Sequence, residues 1–527
     1  MTLPPIHDLI KRYHDYLEEK KPKEGVAKIH VDEIAAKVAG FYESLRSVIE
    51  YREEHILRKN FIDRVLRRRL FLKDINPNIA EPLIKEIIRG GRLQNDSVPE
   101  SKIKDVEHII ENYIVLRNRL KLLKTRDKES ISDWLMKITI SAVEECLFPP
   151  LKDNMMADAM FWSLRERLAV GGIKMLDAEI DLQLFIAIQR GLLHVDEDQL
   201  NYRLLKFIYP DWNNPTKEKQ NDIVRELPFI KERIKDRLKN RHAKHFFKIV
   251  NYYNTVFYLL GDIVDKEYQS EKFEEVITSK DELHEELTDV YNKRFTKERG
   301  RLIRLAFFSV LSILLSKIVV ALAIEIPIDH YITGEFSLIH TLVNIVFPPL
   351  LMLVIVLSIR MPSEKNLGIV IKETNAFIFD EDKKTYAINI PKKEEFFSWA
   401  TIRLVYLGIF FYSFYALVQI LLSLDFSIAS IAIFTFFTSL VAATGVKVAN
   451  RAKEISMEHK KHNFFGFLKD IFAQPFITVG KWGLITLGKL NILVVIFNVI
   501  IEFPFQVFIE FLENFRAFIK NKTDEIN

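Results

Sequence analysis

A single cysteine, Cys146, in a chain of 527 residues excludes an intrachain disulfide and a Cys-rich zinc site. Its apolar surroundings, SAVEECLFPP, point to a buried structural thiol rather than a nucleophile. Glycine and proline are also scarce, at 17 and 18 residues, which argues against a loop-rich or disordered chain and for long uninterrupted helices. Neither sign of charge prevails: 75 basic against 71 acidic residues leave a formal net charge of +4, too small a field to draw nucleic acid. The first twenty residues lack the apolar core of a signal peptide, and no lipidation motif stands at either end.

Local catalytic signatures are missing as well. There is no phosphate loop, no GxGxxG after a strand, no HExxH, no GxSxG and no EF-hand loop, so the sequence gives no ground for an enzyme or a cofactor. His242 and His245 are three apart, but no Glu follows the first and no Cys or carboxylate cluster lies nearby. They read as a solvated or packed pair rather than metal ligands.

What the chain does have is long apolar runs. Residues 305–328, LAFFSVLSILLSKIVVALAIEIPI, number 24 and carry only two charges, Lys317 and Glu325. As a helix this run spans about 36 Å, enough to cross a hydrocarbon core of about 30 Å. Lys293, Arg294, Lys297, Arg299, Arg301 and Arg304 precede it, whereas DHYITGEFS follows without Lys or Arg. The positive-inside rule then sets the N-terminal part in the cytoplasm. Three further spans are expected at 337–359, 399–424 and 426–446, the second kinked or broken by Pro348-Pro349. Lys447, Arg451, Lys453, Lys460 and Lys461 return the end of the fourth to the cytoplasmic side.

The expected fold class is mainly α. A large all-helical cytosolic domain at 1–298, divisible into two subdomains near 125, precedes a multi-span α-helical membrane domain with a small β-like cytoplasmic insertion. Membrane helices one and two fall in 299–360, and helices three and four with their basic end in 398–462. The intervening 361–397 holds three strand-like runs, GIVIKE, AFIFD and TYAINI, which fit a hairpin or three-stranded flap. No strand is expected before residue 365. The run at 157–170 reads as helix, closed by a turn at Gly171-Gly172, and the charged helix at 270–299 is positioned to continue into the first span as a stalk. Residues 463–527 are expected to form interfacial, re-entrant or membrane helices.

Two groups of residues are candidate sites. Arg64, Arg67, Arg68 and Arg69 form a basic face, read as a solvated surface paired with Glu53, Glu54 and Asp63 or as a contact for anionic lipid or RNA. Lys317 lies near mid-depth of the first span, where a charge costs about 2.5–3.5 kcal/mol and calls for an acidic partner, unless the side chain snorkels. Glu325 is eight positions along the same helix, about 12 Å away by helical rise, so it cannot pair directly. Glu502 is the candidate instead, on a four-residue polar stripe with Asn498, Gln506 and Glu510. The expected function is a membrane-anchored interaction or scaffold protein, with the lipid bilayer and cytosolic proteins as partners and nucleic acid set aside. The alternative is a transporter or channel component that uses Lys317 and the polar stripe.

Overall fold

The computed structural model describes residues 5–20, 25–31, 54–71, 78–122, 127–172, 174–213, 215–267, 272–328, 330–331, 337–359, 362, 364–379, 386–389, 396–452, 456–457 and 464–489. The described chain is mainly helical and packs as two compact units. Of the described residues, one takes in 11–165 and 176–247, the other 5–10, 166–175 and 248–489. The division falls at 247/248, some distance before the first long apolar run.

The chain opens with a helix, Pro5–Lys20, of which 11–20 belong to the first unit; the further helices of that unit are α1 (Glu54–Phe71), α2 (Ala80–Arg89), α3 (Ser101–Leu122), α4 (Lys128–Leu147), α5 (Leu151–Arg165), α6 (Asp177–Gly191), α7 (Glu197–Ile208) and α8 (Lys217–Leu238). Their apolar residues recur at helical spacing and meet in one core. Leu83, Ile84, Ile87 and Ile88 of α2 join Val106 and Ile110 of α3, Leu135 and Ile138 of α4, and Leu227 and Ile230 of α8. Helix α2 stops where Gly90 donates its N–H to the Glu86 carbonyl and Gly91 turns left-handed at φ 68°. A Cβ at 90 would stand 2.9 Å from the Phe61 ring, so a larger residue there must displace that ring.

The second unit contains strand β1 (Leu168–Gly171), the 248–267 portion of α9 (Ala243–Glu267), α10 (Phe273–Thr278) and the 41-residue α11 (Lys280–Val320). A π turn (Ala321–Glu325) and a last turn (Ile326–Ile328) extend α11. Then come α12 (Leu338–Leu357), α13 (Glu364–Ile378), β2 (Tyr386–Asn389), α14 (Phe396–Leu422), α15 (Ile428–Ala452) and α16 (Phe464–Lys489). The stalk and the first apolar run are therefore one helix, uninterrupted at Gly300. Pro348 and Pro349 lie inside a single α12, although they withhold the amide donors that the Asn344 and Ile345 carbonyls would otherwise accept.

Among the described residues, four helices are long and apolar enough to cross a membrane: Lys280–Ile328, Leu338–Leu357, Arg403–Leu422 and Ile428–Asn450. They display their apolar side chains outward. Phe307, Val319, Leu322, Leu357, Leu404 and Phe411 are each more than 60% exposed. Packing inside this bundle is close: a Cβ on Gly480 of α16 would lie 1.8 Å from the Ser439 carbonyl oxygen of α15.

The β content departs from the sequence expectation. GIVIKE and the AFI of AFIFD are not strands but parts of α13, whose buried Asn366, Val370, Glu373, Thr374 and Phe377 repeat at helical spacing. A short apolar run satisfies either period, and here the helical face has more to pack against. Only TYAINI contributes a strand. It pairs in parallel with β1, Leu168 opposite Tyr386 and Gly171 opposite Asn389. A strand before 365 therefore exists, and the helix expected over 157–170 ends at Arg165. Arg167 ties β1 to the end of α13, donating to the Ala376 carbonyl at 2.8 Å with its guanidinium 4.8 Å from the centre of the Phe377 ring.

Candidate polar site in the helix bundle

One carboxylate draws three helices of the bundle together. Glu325 accepts a hydrogen bond from Lys317 Nζ at 3.1 Å on one oxygen, and on the other from Ser430 Oγ at 2.9 Å and from Asn344 Nδ2. Asn344 also donates to the Ser430 carbonyl at 3.3 Å. The Lys317 ammonium lies 4.9 Å from the centre of the Phe437 ring, whose electron-rich face favours a cation. Lys317, Glu325 and Asn344 have no exposed surface and Ser430 only 1%.

The expectation that Glu325 lies too far from Lys317 is corrected by the π turn. On a regular helix, eight residues advance about 800°, which leaves the two side chains about 80° apart. The π turn absorbs an extra residue, so Glu325 occupies roughly the angular position of i+7, about 20° from Lys317. The remaining axial gap of about 11 Å is within the combined reach of a long amine and a carboxylate that lean toward each other. The other two donors are positioned locally. Ser427 caps the start of α15, accepting the Ser430 N–H at 3.1 Å. Asn344 lies on the buried face of α12 with Thr341 and Pro348.

The ion pair is neutral as a whole, and every Glu325 oxygen has a donor. That arrangement answers the cost of burying charge, because a pair left half-satisfied in apolar surroundings would be strongly unfavourable. Chemically the cluster is a latch: it fixes the register of α11, α12 and α15 at one point.

Glu502, Asn498, Gln506 and Glu510 lie outside the described residues. Of the basic group in the first unit, Arg67 donates to Asp63 at 2.6 Å and to Asp133 at 3.2 Å. Arg68 and Arg69 both reach Glu86, the latter at 2.9 Å, and Arg64 lies 5.4 Å from the centre of the Phe61 ring. Arg67, Arg68 and Arg69 are thus engaged with carboxylates of their own unit, among them Asp63. Cys146 is half-buried, and burial pushes its thiol up despite Lys102 nearby.

The sequence reading passed over Asn344 and Ser430. Asn344 did carry a signal, as an amide in the middle of an otherwise apolar run. Ser430 carried none, since serine is common in such helices and gains its role only from what faces it. The chain matches no protein-family model, no curated protein and no solved structure.

Proposed function

We propose that the protein is a multi-span membrane protein of the interaction or scaffold class. In this reading α11, α12, α14 and α15 cross the bilayer, the helical N-terminal part faces the cytoplasm, and the bundle docks a partner helix within the membrane. The hydropathy of the four helices and the basic residues before α11 support the topology.

The observation that carries the interaction reading is the outer face of α14. Val405, Gly408, Tyr412, Tyr415, Gln419 and Leu422 follow alternating three- and four-residue steps, the spacing of a helix–helix seam. All are exposed: Tyr412 at 60% and Tyr415 at 61%, with nothing within 4 Å of a Cβ built on Gly408. Tyr412 falls about 14 Å into a core about 30 Å thick, far from the interface where tyrosine normally sits. Hydroxyl and amide groups at that depth favour a hydrogen-bonding neighbour, and a small residue beside them lets a second backbone approach. The partner that fits is a transmembrane helix bearing polar side chains. A photo-crosslinking residue at Tyr412, used in native membranes, should give a discrete protein adduct, whereas one at Leu407 on another face should not. Lipid adducts alone at both positions would defeat the reading.

A second reading, a transporter or channel component, is favoured by the Lys317–Glu325 pair, since ionisable side chains inside membrane helices are often parts of substrate or ion paths. Flux of small ions into vesicles containing the purified protein, abolished by Lys317→Met, would support it. Flux equal to that of empty vesicles would remove it.

A further inference from the structure

We propose that one face of α11 binds an anionic phospholipid, its headgroup held by Lys297 and Arg304 and an acyl chain laid along Phe308, Leu311 and Leu315. The proposal rests on the membrane reading above and adds a ligand to it.

The basic residues before the first apolar run are not equivalent. Lys293 is paired with Asp289 at 2.7 Å, Arg294 with Asp262, and Arg301 with Glu298 at 3.6 Å. Among the described residues Lys297, Arg299 and Arg304 are exposed and make no ion pair or hydrogen bond, and of these Lys297 and Arg304 share a face. They are seven apart on an unbroken helix, hence within about 20° of one face and about 10 Å along the axis.

The same face continues into the apolar run. Phe308, Leu311 and Leu315 follow Arg304 at steps of four, three and four, and are 60%, 38% and 55% exposed. From Arg304 to Leu315 the helix rises about 16 Å, close to half the thickness of a hydrocarbon core of about 30 Å. Two uncompensated cations thus stand directly above an apolar strip one leaflet deep. A free phosphate would use only the cations and a neutral lipid only the strip. An anionic phospholipid uses both. Charge complementarity therefore chooses the occupant.

The full-length protein would be reconstituted in phosphatidylcholine vesicles containing trace phosphatidylserine with a photoactivatable acyl chain. Mass spectrometry then reads labelling within 305–315. Labelling is expected there, competed by unlabelled phosphatidylserine but not by phosphatidylcholine. Lys297→Gln with Arg304→Gln should lower it about 25-fold, roughly fivefold for each basic side chain beside an anionic headgroup. Arg299→Gln, on the far side of the helix, should change it less than twofold. Equal labelling by a phosphatidylcholine probe, no effect of the double variant, or displacement by inorganic phosphate would each overturn the lipid site. Retention of the protein in vesicles under alkaline carbonate separates the two readings: if it is retained and labelling is unselective, only the lipid site falls; if it is extracted, both do.

Discussion

The two units bury charge in opposite styles. The first uses many ion pairs that keep partial contact with water. Lys59 reaches Asp196 at 2.5 Å, Arg58 reaches Glu144 at 3.1 Å, and Arg203 reaches Glu145 at 3.1 Å, with one partner of each pair less buried than the other or joined to further donors. The bundle of the second unit concentrates its cost in one pair, Lys317–Glu325, with neither side chain exposed. Apolar surface follows the reverse rule, gathered inside in the first unit and turned outward along α11, α12 and α14. Where water is near, a pair can be partly hydrated. Where the surroundings are apolar, the carboxylate oxygens are met by protein donors, as at Glu325.

This contrast breaks most readily at Glu325. Glu325→Leu leaves the Lys317 ammonium without a carboxylate, and thermal melting in detergent should show a loss of about 3–5 kcal/mol. Adding Lys317→Met should restore most of it. Single variants as stable as the parent would mean that the pair is not the latch described.

The matching change in the first unit should cost less. Asp196→Ala removes a partner of Lys59 and also the cap of α7, where Asp196 accepts the Asp198 and Gln199 N–H groups at 2.9 and 3.0 Å. A loss of about 2–3 kcal/mol is expected in denaturant melts, because Asp196 is partly exposed and water can reach what remains. A loss larger than at Glu325 would erase the distinction between the units.

Glycine substitutions sharpen the comparison within the bundle itself. Gly480→Ala pushes a methyl against the Ser439 carbonyl and should cost about 1–3 kcal/mol as α15 and α16 move apart. Gly408→Ala meets open space, so melting should shift by less than about 0.5 kcal/mol. It should nonetheless weaken the crosslink from Tyr412. Equal costs at both glycines would contradict the close packing on one side and the open seam on the other.

The smallest effect is one of pH. Burial acts to raise the Asp196 carboxyl, but Lys59, the Gln199 N–H and His55 together outweigh it and hold the group below its ordinary value. The folded state therefore binds this proton less tightly than the unfolded chain does. Its contribution is full above the unfolded value and is lost as pH falls through the folded one. The stability gap between the parent and Asp196→Asn should accordingly narrow from pH 7 to pH 3, as read from denaturant midpoints. A gap that widens would reverse the sign.

The sequence alone determined the helical class and the four apolar helices, because both depend on local composition and a period read over twenty residues. It also marked Lys317, whose charge stands out in its run. The fates of GIVIKE and LAVG were decided elsewhere. The first fits two periods, and its choice rests on the face presented by Val370 and Phe377. The second is too short for any pattern and becomes a strand only through Tyr386–Asn389, far along the chain. The partner of Lys317 belongs to the same kind of decision. Nothing in ALAIE announces a π turn, and one extra residue in a helical turn moves Glu325 onto the lysine's face. Asn344 and Ser430 then complete a shell that exists only when three helices meet.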